Sequence, residues 1–80
     1  MENKSLYMID WKDHTGDGGW FDTDSVKKEK PVIARTVGYL VEENDEYYKL
    51  VDTITNDNGV GGLSIILKSC VMNIWLLEMK

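Results

Sequence analysis

Asp13, Thr15, Asp17, Gly18, Trp20 and Asp24 stand in the order of a calcium-binding loop. Oxygen ligands fall at its first, third and fifth positions, glycine at the sixth, an apolar residue at the eighth and a carboxylate at the twelfth. The match is incomplete, because the last position is Asp rather than the longer, bidentate Glu. The motif also needs a helix on each side, whereas Leu6 to Trp11 reads as a strand. A solvated acidic turn is therefore expected, with no metal and no cofactor. His14 is the single histidine, so neither a multi-histidine zinc site nor a full Ser-His-Asp relay has the rings it needs. Beside Asp13, Thr15 and Asp17 it could act as a general base, but a glycine-rich loop with no evident orienting group favours a plain surface histidine. Cys70, with Lys68 nearby, reads as a small apolar side chain leading a strand rather than an activated thiolate.

Two glycine clusters, Gly16-x-Gly18-Gly19 and Gly59-x-Gly61-Gly62, could offer backbone N–H groups to a phosphate. Neither carries the Lys-Ser/Thr ending of a P-loop or the long helix of a dinucleotide site, and tight turns explain both. The richer constellation is aromatic. Trp11, Trp20 and Phe21 flank the acidic loop, Tyr39, Tyr47 and Tyr48 lie on neighbouring strands, and Lys27, Lys28 and Arg35 supply cations. Aromatic faces stack on bases and a guanidinium holds phosphate, so Trp11, His14, Trp20, Arg35 and Tyr48 are the candidate ligand contacts. The competing role for such rings is the core, which Tyr39 and Trp75 are expected to join.

These residues must be positioned by one small domain, since 80 residues leave no room for a second. Fourteen acidic against nine basic side chains give a net charge of −5, which disfavours a nucleic-acid backbone as partner. One basic patch survives this balance, at Lys27, Lys28, Lys30 and Arg35. No apolar run approaches the length of a bilayer span, and no leader-like segment opens the chain. A lone cysteine cannot form an internal disulfide, so a cytoplasmic setting is expected. A core of this size supplies about 3–5 kcal/mol without staples, which makes self-association into a homo-oligomer expected.

Leu6 to Trp11 predicts a strand, and Asp22 or Thr23 caps a two-turn helix that Pro31 follows. Val26 is the one apolar residue of that helix, so Trp20 and Phe21 are expected to tether it. Val32 to Glu43 predicts a long strand whose Ala34, Thr36, Gly38 and Leu40 share a face, with Gly38 marking a bend. The polar turn from Glu43 to Glu46 leads into a strand over Tyr47 to Ile54, and a second turn, Thr55 to Gly62, into one over Leu63 to Leu67. The last strand runs from Val71 to Leu77, with Val71, Trp75 and Leu77 on one face and Met72, Ile74 and Leu76 on the other. Apolar residues on both faces imply that another subunit covers it. The fold class is mainly β: a small five-stranded, strongly bent antiparallel barrel with one short helix.

Val37-Gly38-Tyr39-Leu40-Val41-Glu42-Glu43, the hairpin after it and the closing Ile65-Ile66-Leu67-Lys68-Ser69-Cys70-Val71 resemble the Sm-like (SH3-like) barrel. Across nearly the whole chain there is a narrower resemblance to short, mostly uncharacterised tailed-bacteriophage proteins. It rests on Gly19-Trp20 after an Asp-rich loop, the short helix, Pro31, the Val-Gly-Tyr-Leu-Val strand, Gly61-Gly62 and the Lys68-Ser69-Cys70-Val71 close. The asparagine and the basic residue expected of an RNA-binding Sm protein are replaced by Tyr47-Tyr48-Lys49 and Val60-Gly61-Gly62, so no RNA contacts carry over. Leu67 stands where the phage proteins often have proline. The catalytic constellations are too sparse for an enzyme, so a non-enzymatic binding function is expected, and the resemblance implies an accessory role in the infected bacterial cytoplasm, such as that of an anti-defence protein sequestering a nucleotide immune signal. The alternative is a protein-interaction module that inhibits a host protein through an acidic surface at Glu42, Glu43, Asp45 and Glu46.

Overall fold

The computed structural model describes residues 4–14 and 18–77. Its strands are β1 (Leu6–Asp13), β2 (Val32–Glu43), β3 (Tyr47–Ile54), β4 (Val60–Leu67) and β5 (Val71–Leu77). A six-residue helix, α1 (Thr23–Lys28), stands between β1 and β2, and a 3-10 turn, Lys68–Cys70, joins β4 to β5. The strands form one antiparallel sheet in the order β4-β3-β2-β1-β5.

β2 serves two partners in turn. Residues 32–39 pair with β1, and residues 39–43 pair with β3. The switch falls where the strand bends: Leu40 N–H donates to the Ser5 carbonyl, and the ladder with β3 slips between Leu40 and Glu42. Such a slip adds a residue to one strand and sharpens its local twist. Gly38 sits inside this bend, and a Cβ there would lie 2.9 Å from the Val51 carbonyl oxygen and 3.1 Å from Leu50 Cβ. Glycine at 38 therefore lets β3 cross close to β2, the physical content of the bend read from the sequence. Gly62 has φ +70°, a backbone that costs other residues more.

Residues directly opposite each other in an antiparallel ladder share a face. Tyr7, Ile9 and Trp11 thus share the inner face with Gly38, Thr36 and Ala34 of β2. Ile9, Leu50 and Ile66 are fully buried together, and Trp11, Leu40, Tyr48 and Val71 pack around them. All five strands contribute to this cluster, so the sheet curls until β4 and β5, the two ends of its order, flank the same core.

Hydrogen bonding does not complete the closed barrel expected from the sequence. Among the described residues β4 bonds to β3 alone and β5 to β1 alone, so the sheet ends on β4 at one side and on β5 at the other. The reason is directional: beyond the joining turn β4, about 26 Å long, stays with β3, while β5, about 23 Å long, follows β1.

The face assignment within β5 also differs from simple alternation. Register shifts between Asp10 and Trp11, so Val71 pairs with Trp11 on the inner face while Trp75 pairs with Met8 on the outer. Trp75 is consequently an exposed outer-face ring, not the core residue its apolar character suggested. Asp22 caps α1 by accepting from Ser25 N–H at 2.8 Å and Ser25 Oγ at 3.0 Å. The helix buries none of its residues, and Trp20 and Phe21, expected to tether it, are exposed. Among the described residues no helix is long and apolar enough to cross a membrane.

Gly38→Ala is expected to destabilise the chain by about 1–3 kcal/mol, because the new methyl meets backbone that cannot step aside. Gly61→Ala, whose new methyl would meet no atom within 4 Å, should change stability by less than about 0.5 kcal/mol. Urea midpoints at unchanged slope measure both. Equal midpoints for the two variants would refute the close crossing at Gly38.

Candidate functional site

The connection from β1 to β2 folds back toward the Lys68–Cys70 turn, leaving a cavity of about 800 Å³ between them. One wall is apolar and comes from the connection: Phe21, Val26 and Pro31. The other is the end of β1 with Lys12, Asp13 and His14, joined by Ser69 and Cys70 of the turn. Lys30 and Glu29 complete the rim, so two ammonium groups and two carboxylates surround an apolar floor. Such a lining suits a small ligand with a flat apolar body and a charged end.

His14 Nε2 and Cys70 Sγ are 4.0 Å apart across this cavity. That separation is the outer limit of a sulfur hydrogen bond. Sequence reading weighed the two residues singly, because 56 positions separate them and no spacing rule connects them. Lys12, Phe21 and Lys30 were likewise not singled out as contacts. Their common signal is position, at the end of β1 and along the connection that returns from it.

Of the five candidate contacts, the cavity lining includes His14. Trp20 is fully exposed on the connection. Trp11 and Tyr48 pack against the buried cluster; the Trp11 indole N–H donates to Thr36 Oγ1 at 3.0 Å, and Lys68 Nζ lies 4.9 Å from the centre of the Tyr48 ring. Arg35 lies on the outer face opposite Asp10, donating from Nε to Oδ1 at 2.7 Å and from a terminal nitrogen to Oδ2 at 2.9 Å. Its guanidinium also stands 5.8 Å from the centre of the Trp75 ring. The fold thus brings Trp11 and Tyr48 to one cluster and leaves Trp20, His14 and Arg35 in three different surroundings. Thr15 and Asp17 of the calcium-like pattern lie outside the described residues, and Asp24 falls in the first turn of α1.

The hydrogen bonds from Arg35 hold the Asp10 carboxyl below its ordinary value of 3.8. A carboxylate with a depressed folded value adds stability that is fully present above its unfolded value and disappears as pH falls through the folded one. Asp10→Asn should therefore lower the urea midpoint at neutral pH, and the gap to the parent chain should close as pH drops below 3.8. Parallel pH profiles for the two proteins would show that the pair contributes nothing.

No protein-family model, no curated protein and no solved structure matches this chain.

Proposed function

We propose that this chain is a non-enzymatic binding protein that holds a small nucleotide-like ligand in the cavity beside His14. The carrying observation is the cavity itself, whose apolar wall and two lysines offer a surface for a flat ring and a counter-charge for phosphate. Phe21 supplies the stacking face, and His14 faces the ligand from the end of β1. The strand order, the bent β2 and the one-turn link before the last strand support an Sm-like (SH3-like) arrangement. With the sequence resemblance to short tailed-phage proteins, they favour an accessory role in the infected bacterium, where the protein sequesters a nucleotide immune signal.

A second reading rests on the turn between β2 and β3, where Asp45 and Glu46 are exposed and could face a basic host protein. Its acidic surface is narrower than the sequence suggests, since Glu42 pairs with Lys49 and Glu43 with Lys68 within the chain.

Titration calorimetry with a panel of linear and cyclic nucleotides tests the first reading. At least one should bind, and Phe21→Ala and Lys30→Ala should each weaken it about tenfold, or roughly 1.4 kcal/mol. Lys49→Ala, far from the lining, serves as control. A panel that gives no heat, or binding indifferent to both cavity variants, would overturn the assignment. In the latter case the Asp45→Lys, Glu46→Lys double variant becomes the informative one for host-protein capture.

A further inference from the structure

We infer that the ligand of the cavity carries a guanine base, read by the carboxylate of Glu29 while Lys12 and Lys30 hold its phosphate; the inference rests on the nucleotide reading above. Elsewhere in the fold, opposite charges on neighbouring elements have closed into pairs: Arg35 with Asp10 at 2.7 Å, Lys68 with Glu43 at 2.7 Å and Lys49 with Glu42 at 3.5 Å. The four charges of the cavity have not. Lys12, Asp13, Glu29 and Lys30 make no side-chain hydrogen bond or ion pair with any described residue, although both signs line the same space. Their donors and acceptors are open to a ligand.

The charges in this lining cancel, two ammonium groups against two carboxylates, with His14 adding nothing while neutral. A ligand that offered phosphate alone would be drawn by the lysines and repelled by Asp13 and Glu29. The carboxylates become favourable when the ligand brings N–H donors to them, because a hydrogen bond to an ionised acceptor is roughly twice as strong as one between neutral groups. The occupant that suits the whole lining therefore has a flat body, a phosphate and a donor-bearing edge.

Among the common bases one edge matches a carboxylate oxygen for oxygen. Guanine presents N1–H and its 2-amino group side by side, two donors for two acceptors. Adenine and cytosine each set a ring-nitrogen acceptor beside the amino group, and uracil sets a carbonyl on either side of its N3–H. Each of these would turn an acceptor toward the carboxylate. Reading a base by its hydrogen-bonding edge while an aromatic ring stacks on its face is a general mode of base recognition. The repulsion of the wrong edge contributes to selectivity along with the bond to the right one.

Glu29 is the carboxylate that shares a wall with the stacking surface. It ends α1, its N–H donating to the Val26 carbonyl at 3.1 Å, and Phe21, Val26 and Pro31 of the same connection form the apolar wall. A base lying on that wall thus meets a carboxylate from the same segment, and Lys30 follows at once in the chain. Asp13 belongs to the opposite wall with Lys12 and His14.

Titration calorimetry of the full chain with GMP, IMP and AMP is the test. IMP lacks only the 2-amino group of GMP, and AMP reverses the pattern at N1. GMP should bind about tenfold more tightly than either, or roughly 1.4 kcal/mol. Glu29→Gln keeps the size of the side chain but turns one acceptor into a donor, and it should bring the ratio of GMP to AMP affinity near one. The side chain is exposed and bonded to no other, so an unchanged urea midpoint is expected to show that the variant folds as the parent does. In the proton spectrum of the GMP complex the guanine N1–H should give a resolved imino resonance, since the bond to Glu29 slows its exchange with water, and Glu29→Gln should remove it. Equal affinity for the three nucleotides would overturn the guanine assignment and leave the nucleotide reading standing. Binding of none of them would overturn it as well, and the cyclic members of the wider panel then decide whether the nucleotide reading falls with it. A GMP preference that survives Glu29→Gln would overturn Glu29 as the reader, and its loss in Asp13→Asn would move that role to the other wall.

Discussion

Three residues have to carry the chain from one end of the sheet order to the other. β4 and β5 are separated by three other strands in the sheet, yet Lys68–Cys70 is all that joins them. A flat sheet of five strands would hold its outer strands roughly 19 Å apart, beyond the comfortable reach of so short a turn. The sheet must therefore curl. Lys68 ties the turn to the hairpin between β2 and β3: its N–H donates to the Glu46 carbonyl at 2.8 Å and its ammonium to Glu43 at 2.7 Å. The bend of β2 at Gly38 and the slip after Leu40 absorb the curvature this demands.

The same turn sets where chemistry can occur. Ser69 and Cys70 leave the hairpin and arrive at the end of β1, so the cavity exists because the turn and the β1–β2 connection meet there. The buried interior is small, centred on Ile9, Leu50 and Ile66, and Trp11 and Tyr48 complete it rather than waiting for a ligand. Arg35 is similarly committed, its fork closed on Asp10. Trp11 and Tyr48 are thus part of the interior, and the aromatic ring that lines the cavity is Phe21.

Much of the scaffold was legible because its signals are local. The bounds of β2, β3 and β5 follow from β-branched runs ended by turn residues, and Asn44 explains the hairpin by accepting from both Glu46 N–H and Tyr47 N–H at 2.9 Å. β4 begins three residues earlier than its sequence suggests, because Gly61 and Gly62 read as a turn while their backbone continues the ladder opposite Thr53 and Leu63 follows opposite Val51. The inner position of Val71 was hidden by a register shift that alternation cannot anticipate. The cavity was hidden for a deeper reason. His14 and Cys70, which line it together, lie 56 residues apart, and they meet through curvature of the whole sheet, which no window of sequence encodes.

β1 is bonded on one side to β2 and on the other to β5, with Ile9 opposite both Thr36 and Ile74. The first pairing closes a loop of under thirty residues; the second spans more than sixty, nearly the whole chain. Since ordering a longer loop costs more entropy before contacts reward it, the β1–β5 ladder is the natural last step of folding. Until it forms, Ile9 has half its neighbours and β1 is itself an edge. The topology thus gives this small protein a high contact order, and with it the slow, non-local folding of all-β domains rather than the rapid zippering that its length alone would suggest.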